Sequence, residues 1–150
     1  MKILFICTGN TCRSNMAEAL FNYHCKLKDV SAISAGLFIN PSSKTSFNTG
    51  FILKDKYDID ILNRKPVQLN MEIMKQSDLV LTMTKYMKTY ILNEEPSFKD
   101  KVFTFNEYLG ESDDIIDPFG GDIDMYLKTF NQLEENVLLL IDNLKKDTSN

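Results

Sequence analysis

The segment Cys7-Thr8-Gly9-Asn10-Thr11-Cys12-Arg13-Ser14 puts two thiols, a glycine and a guanidinium directly behind the apolar run Ile3-Leu4-Phe5-Ile6. A thiolate is a nucleophile, and a guanidinium is a planar fork that matches two oxygens of a phosphate. Gly9 permits a backbone conformation that a side chain would hinder, and Asn10 tolerates a left-handed one, so the segment can curl into a cradle of backbone N–H groups. If a helix starts at its end, the helix dipole adds partial positive charge, which favours an anion in the cradle and thiolate over thiol at Cys7. An attacking sulfur at the base of a phosphate cradle, with Arg13 opposite, is what displacement at phosphorus requires.

That chemistry needs a strand before the loop and a helix after it. Lys2 to Ile6 is nearly all apolar, which suits a strand covered on both faces of a parallel sheet. Behind the loop, Met16, Ala19, Leu20, Tyr23 and Leu27 recur at helical spacing. Val30 to Ser34 predicts a second strand ending in Ala35-Gly36. After a loop with Asn40-Pro41 and Ser42-Ser43, a helix reaches about Lys56 and carries Phe47, Phe51 and Ile52. Asn70 can cap a short helix through Met74, and Asp78 to Met83 is the third strand. Thr84 can cap a helix holding Met87 and Ile91 that ends before Pro96, and Lys101 to Phe105 is the fourth strand. The polar stretch from Asn106 to Asp122 reads as the longest loop. Asp122 is placed to cap a last helix with Tyr126, Phe130, Leu133, Val137, Leu140, Ile141 and Leu144 on one stripe. The expectation is a single α/β domain over residues 1–150, with a central four-stranded parallel sheet flanked by helices. Ligands bind such sheets at the carboxyl ends of the strands, where Cys7 to Ser14 falls.

Composition excludes several classes. With 43% hydrophobic and 25% charged residues, the chain can bury a core and is not disordered. A net charge of −4, with no long run of cations, argues against a nucleic-acid surface. Val137 to Ile141 is far too short for a membrane span, and MKILFIC is followed by no small-residue cleavage site. The expectation is a cytoplasmic monomer with no membrane partner. Three cysteines, an odd number, then mean free thiols and not a disulfide framework.

Cys-x5-Arg-Ser at this place in the chain, followed by Met16-Ala17-Glu18, Ser34-Ala35-Gly36, Asp78-Leu79-Val80 and Asp117-Pro118, resembles the low-molecular-weight protein tyrosine phosphatases over nearly the whole chain. The resemblance implies phosphorylated protein substrates, no cofactor and no metal. It makes Cys7 the nucleophile, Arg13 the phosphate clamp and Asp117 the general acid. Thr8, Gly9, Asn10, Thr11, Cys12 and Ser14 would bind the substrate, Asn10 and Ser14 also holding the loop and the thiolate in place, and Phe119 would form a pocket wall. A departing leaving group needs a proton, and the other obvious donor, His24, falls well along the first helix. In the family the second cysteine, here Cys12, can form a reversible disulfide with the nucleophile; plain packing is the other reading. Asn15 stands where the family commonly has proline, a residue suited to the first turn of a helix.

Within the family, Thr11 replaces the isoleucine usual in tyrosine phosphatases. Asp117-Pro118-Phe119-Gly120-Gly121 replaces a segment with two tyrosines after the proline. Both features look like the bacterial protein-arginine phosphatases and imply phosphoarginine as substrate. A phosphotyrosine ring would gain from aromatic walls on both sides, and Gly120 supplies none. The alternative within the family is a phosphotyrosine phosphatase. More distant are a phosphocysteine carrier of a sugar phosphotransferase system, which would lack Arg13 and the distal Asp-Pro, and an arsenate reductase. The reductase would need two further cysteines near the third strand, and residues 78–100 contain none. Cys25 and His24 do not make a zinc spacing with Cys7 and Cys12; Cys25 is expected in the core and His24 partly exposed. Glu134-Glu135 reads as a solvated face.

Overall fold

The computed structural model describes residues 1–148. Strand β1 (Lys2–Cys7) is buried at every position after Lys2 because it is paired on both sides. Lys2 to Cys7 runs parallel to β2 (Ser31–Gly36), and Ile3 to Ile6 runs parallel to β3 (Leu79–Thr82). Strand β4 (Val102–Thr104) joins β3, which gives an all-parallel sheet in the order β2-β1-β3-β4. The chain leaves β1 toward one edge and returns on its other side, so the strand order reverses at the carboxyl end of β1.

Helix α1 (Arg13–His24) packs on β1, on β2 and on the long helix α6 (Ile123–Thr148). The apolar stripe of α6 from Tyr126 to Leu144 is buried as its spacing predicts, and Asp122 Oδ1 accepts from Met125 N at 3.1 Å at its start. Phe5 of β1 meets Phe21 of α1 at 6.2 Å and Phe105 at 5.1 Å between ring centroids, and all three rings are fully buried. Each such side chain contributes about 1.5–3 kcal/mol by leaving water. Helices α2 (Phe47–Tyr57), α3 (Met71–Gln76) and α4 (Lys85–Glu94) fill the remaining connections. Asn70 and Thr84 cap α3 and α4 through their side chains, as expected.

Beyond shifts of a residue at several strand ends, three features differ from the sequence expectation. The fourth strand stops at Thr104, because Thr104 and Glu107 form a capping box that starts helix α5 (Phe105–Tyr108), so the supposed long loop begins as a helix. Leu27 lies beyond the end of α1 and packs on the core from the connecting segment. Glu134 is not on a solvated face. His24 Nε2 lies 3.1 Å from its carboxylate, and the Tyr57 hydroxyl donates to the same oxygen. No described helix is long and apolar enough to cross a membrane.

Candidate active site

The loop from Cys7 to Cys12 joins the end of β1 to the start of α1. Cys12 caps α1 with no side-chain acceptor, and the first turn holds no acidic residue. The N–H groups of that turn are therefore left for an anion. Cys7 is 4% exposed, and two donors converge on its sulfur: the Asn10 amide at 3.2 Å and the Ser14 hydroxyl oxygen at 2.8 Å. The cleft above has a volume of about 320 Å³ and is lined by Cys7, Thr8, Gly9, Thr11, Cys12, Arg13, Asp117 and Phe119. Asn10 and Ser14 lie behind this surface, at 1% and 0% exposure.

The left-handed step of the loop falls on Asn10, at φ 57°, and not on Gly9, whose φ is outside that region. A Cβ on Gly9 would meet nothing nearer than Thr11 Oγ1 at 3.9 Å, so the conformational need expected of Gly9 is not found. Asn10 holds its conformation by using its whole amide. Nδ2 donates to Ser14 Oγ at 2.7 Å and Ser34 Oγ at 2.9 Å, while Oδ1 accepts from Val67 N at 2.9 Å and Arg64 Nη1 at 3.1 Å. Arg64 also reaches Ser34 Oγ at 3.0 Å and Glu18 Oε1 at 3.3 Å. Gly36 is the glycine that close approach demands. A Cβ there would sit 2.6 Å from the Thr8 carbonyl oxygen and 3.1 Å from Asn10 N.

Asp117 reaches the cleft from the segment before α6. Its Oδ2 lies 3.6 Å from Arg13 Nη2, and its Oδ1 accepts from Phe119 N at 3.0 Å. Arg13 Nη1 donates to the Ile115 carbonyl at 3.1 Å, and Ile115 N donates to the Met83 carbonyl at 3.0 Å, which ties the segment to the end of β3. From α6, Thr129 Oγ1 donates to the Ile116 carbonyl at 3.0 Å, and Gln132 Oε1 accepts from Ile116 N at 3.0 Å. Phe119 is 81% exposed, so its ring edges the cleft and does not plug it. Gly120 follows at φ 77°.

Cys12 is a free thiol, as is Cys7. Its Sγ donates to Ser46 Oγ at 3.4 Å and lies 3.7 Å from the Tyr126 hydroxyl. Burial, with the neighbouring Cys12 adding to it, pushes the Tyr126 phenol up to about 12. Asn15, which stands where the family commonly has proline, is buried and donates to Thr45 Oγ1 at 3.1 Å, which anchors the first turn of α1. His24 and Cys25 lie at the far end of α1, away from the cleft. Sequence reading missed Arg64, Ser34 and Glu18 as supports of the loop; the Met16-Ala17-Glu18 and Ser34-Ala35-Gly36 matches touched two of them, and no signal touched Arg64.

This architecture and loop recur in known proteins. A Bacillus subtilis protein named protein-arginine-phosphatase is 43% identical over 150 residues, covering 98% of this chain and 99% of its own. A Staphylococcus haemolyticus low molecular weight protein-tyrosine-phosphatase, PtpB, is 35% identical over 149 residues, covering 99% and 100%. A solved structure of YwlE arginine phosphatase, a mutant with a phosphorylated active site serine, is 43% identical and superposes with a TM-score of 0.90, covering 98% of this chain and 97% of that one. Residues 2–150 match the family of low molecular weight phosphotyrosine protein phosphatases, and this chain belongs to that family.

Proposed function

We propose that this chain hydrolyses phosphoarginine side chains of proteins through a phosphocysteine at Cys7. The wall of the cleft carries the reading. Among the described residues lining it there is one aromatic ring, Phe119, together with the hydroxyl-bearing Thr11. A flat apolar ring would be held on one side only, whereas a polar guanidinium finds Asp117 beside its nitrogen. The likeness to relatives supports the same substrate, at 43% for the arginine phosphatase against 35% for the tyrosine phosphatase.

In this reading Cys7 Sγ attacks phosphorus in line, forming the S–P bond as the P–N bond breaks. The Asp117 carboxyl gives its proton to the departing nitrogen, and arginine leaves. The N–H groups at the start of α1 and the Arg13 guanidinium take up the charge on the phosphoryl oxygens. Water then attacks phosphorus, its proton passes to the Asp117 carboxylate, and the S–P bond breaks to release inorganic phosphate and the Cys7 thiolate. The phosphorylated active site serine of the mutant YwlE arginine phosphatase supports a covalent phosphoryl intermediate in this reading.

Two peptides with identical flanks, one carrying phosphoarginine and one phosphotyrosine, test the assignment. The expected kcat/KM is more than about tenfold higher for phosphoarginine, at or above the low end of what differences in pocket fit discriminate. Cys7→Ser should bind vanadate yet turn over neither peptide. Preference for phosphotyrosine overturns the substrate, and substantial hydrolysis by the serine variant removes Cys7 as nucleophile.

A further inference from the structure

A second hollow, of about 380 Å³, opens between the end of β2, α3 and α4. Leu37, Met74 and Ile91 form its buried floor, and Phe38, Met71 and Tyr90 stand along it. Phe38 is 56% exposed and Met71 47%, so large apolar side chains face water at a concave site. The Phe38 ring is held edge-on against Tyr90, 5.2 Å between centroids. The hollow is continuous with the catalytic loop: Leu37 N donates to the Cys7 carbonyl at 3.0 Å, and Phe38 N donates to the Thr8 carbonyl at 3.0 Å. Its charged lining consists of Glu94 and Glu95, with no cation among the described lining residues. The nearby Lys101 is engaged, donating to the carbonyls of Met74 and Ser77 and lying over the Phe98 ring.

We infer that this hollow seats the part of a substrate protein that flanks the phosphorylated residue, taking one apolar side chain against Phe38, Met71 and Tyr90 and an adjacent Lys or Arg at Glu94. The inference rests on the reading of the Cys7 cleft as a phosphoprotein phosphatase site. Thr8 lines that cleft and its carbonyl accepts from Phe38 N, so the hollow begins directly beside the place where the phosphorylated side chain enters. The volume is near the lower end of small-ligand pockets, which suits one or two side chains and not a whole folded element. The two carboxylates select the charge of the neighbour.

The test uses phosphoarginine peptides bearing Leu-Lys, Leu-Glu or Ser-Ser at successive distances from the phosphorylated residue, with free phosphoarginine as control. At one spacing, wild-type KM should be about tenfold lower for the Leu-Lys peptide than for Ser-Ser. Met71→Ser should erase most of that difference, and Glu94→Lys should transfer the preference to Leu-Glu. Both side chains are exposed, so unfolding temperatures and turnover of free phosphoarginine should stay at the wild-type value. Absence of any flank preference, or an equal loss on free phosphoarginine, overturns the inference. So does a dimer in light scattering that Met71→Ser dissolves, since a second copy would then occupy the hollow. If wild type cleaves phosphotyrosine and not phosphoarginine, the substrate reading fails, and the same flanks around phosphotyrosine decide the hollow separately.

Discussion

Arg64 Nη1 donates to Asn10 Oδ1 at 3.1 Å across a sequence separation of 54 residues, so a cation from outside the loop holds the residue that gives the loop its left-handed turn. A left-handed conformation is costly for a residue other than glycine unless its surroundings enforce it. Arg64→Ala should loosen Asn10, and with it the amide that points at Cys7 Sγ. The expected result is a fall in kcat of about tenfold or more, with inhibition by phosphate weakened in step. Arg64→Lys keeps the charge but not the fork that spans Asn10, Ser34 and Glu18, so it should recover only part of the loss. If Arg64→Ala lowers thermal stability and leaves kcat untouched, Arg64 is a scaffold residue only.

Asp117 is poised differently, with a side chain 58% exposed and only one carboxylate oxygen near Arg13. Asp117→Asn retains an oxygen to accept from Phe119 N, so the segment should keep its shape while losing its proton donor. Turnover should drop by about 10²–10⁴-fold, the usual worth of general acid–base catalysis, with phosphate binding little changed. Near-normal rates across the pH range would direct attention to another carboxylate.

Thr11 lines the cleft beside Cys7, and isoleucine there would add apolar bulk and delete a hydroxyl. Thr11→Ile should cost phosphoarginine activity more than about tenfold while keeping or raising activity on phosphotyrosine, because polar groups left unpaired discriminate more strongly than hydrophobic fit. Inorganic phosphate should inhibit wild type and variant alike, since the cradle is unaltered. The measurement is kcat/KM for both phosphopeptides; an unchanged ratio would acquit Thr11 as the selector.

The Tyr57 hydroxyl, which donates to Glu134, ties α2 to α6 and is pushed up to about 12, first by that hydrogen bond and then by burial. Because the folded value lies above the unfolded one of 10, the stabilisation is complete below pH 10 and disappears as pH rises through about 12. Tyr57→Phe should lower stability by on the order of 1–2 kcal/mol at neutral pH. In urea melts the gap between wild type and variant should stay constant up to pH 10 and close above it. A gap that persists unchanged well above pH 12 would point to ring packing against Tyr23 and Phe130 and not to the hydroxyl.

Much of the site is written locally. Cys7 to Ser14 is one unbroken stretch behind an apolar run that suits a doubly covered strand, and a strand followed by a helix leaves a loop between them little freedom. The stripe of α6 and the caps at Asn70 and Thr84 were legible for the same reason: each depends on residues within a turn or two. The order β2-β1-β3-β4 was not legible, since apolar strands of similar composition do not name their neighbours. Nor was the support of the loop. Glu18, Ser34 and Arg64 are unremarkable in type and lie on separate segments, and only the parallel pairing of β1 with β2 brings Ser34 beneath Asn10. Glu134 looked solvated because its sequence neighbours are polar, yet the packing of α1 and α2 on α6 delivers His24 and Tyr57 to it. Sequence by itself determined which groups could do the chemistry, because nucleophile and clamp share one short turn of chain. Tertiary structure decided what holds them, because those hydrogen bonds join segments that meet only when the sheet is assembled.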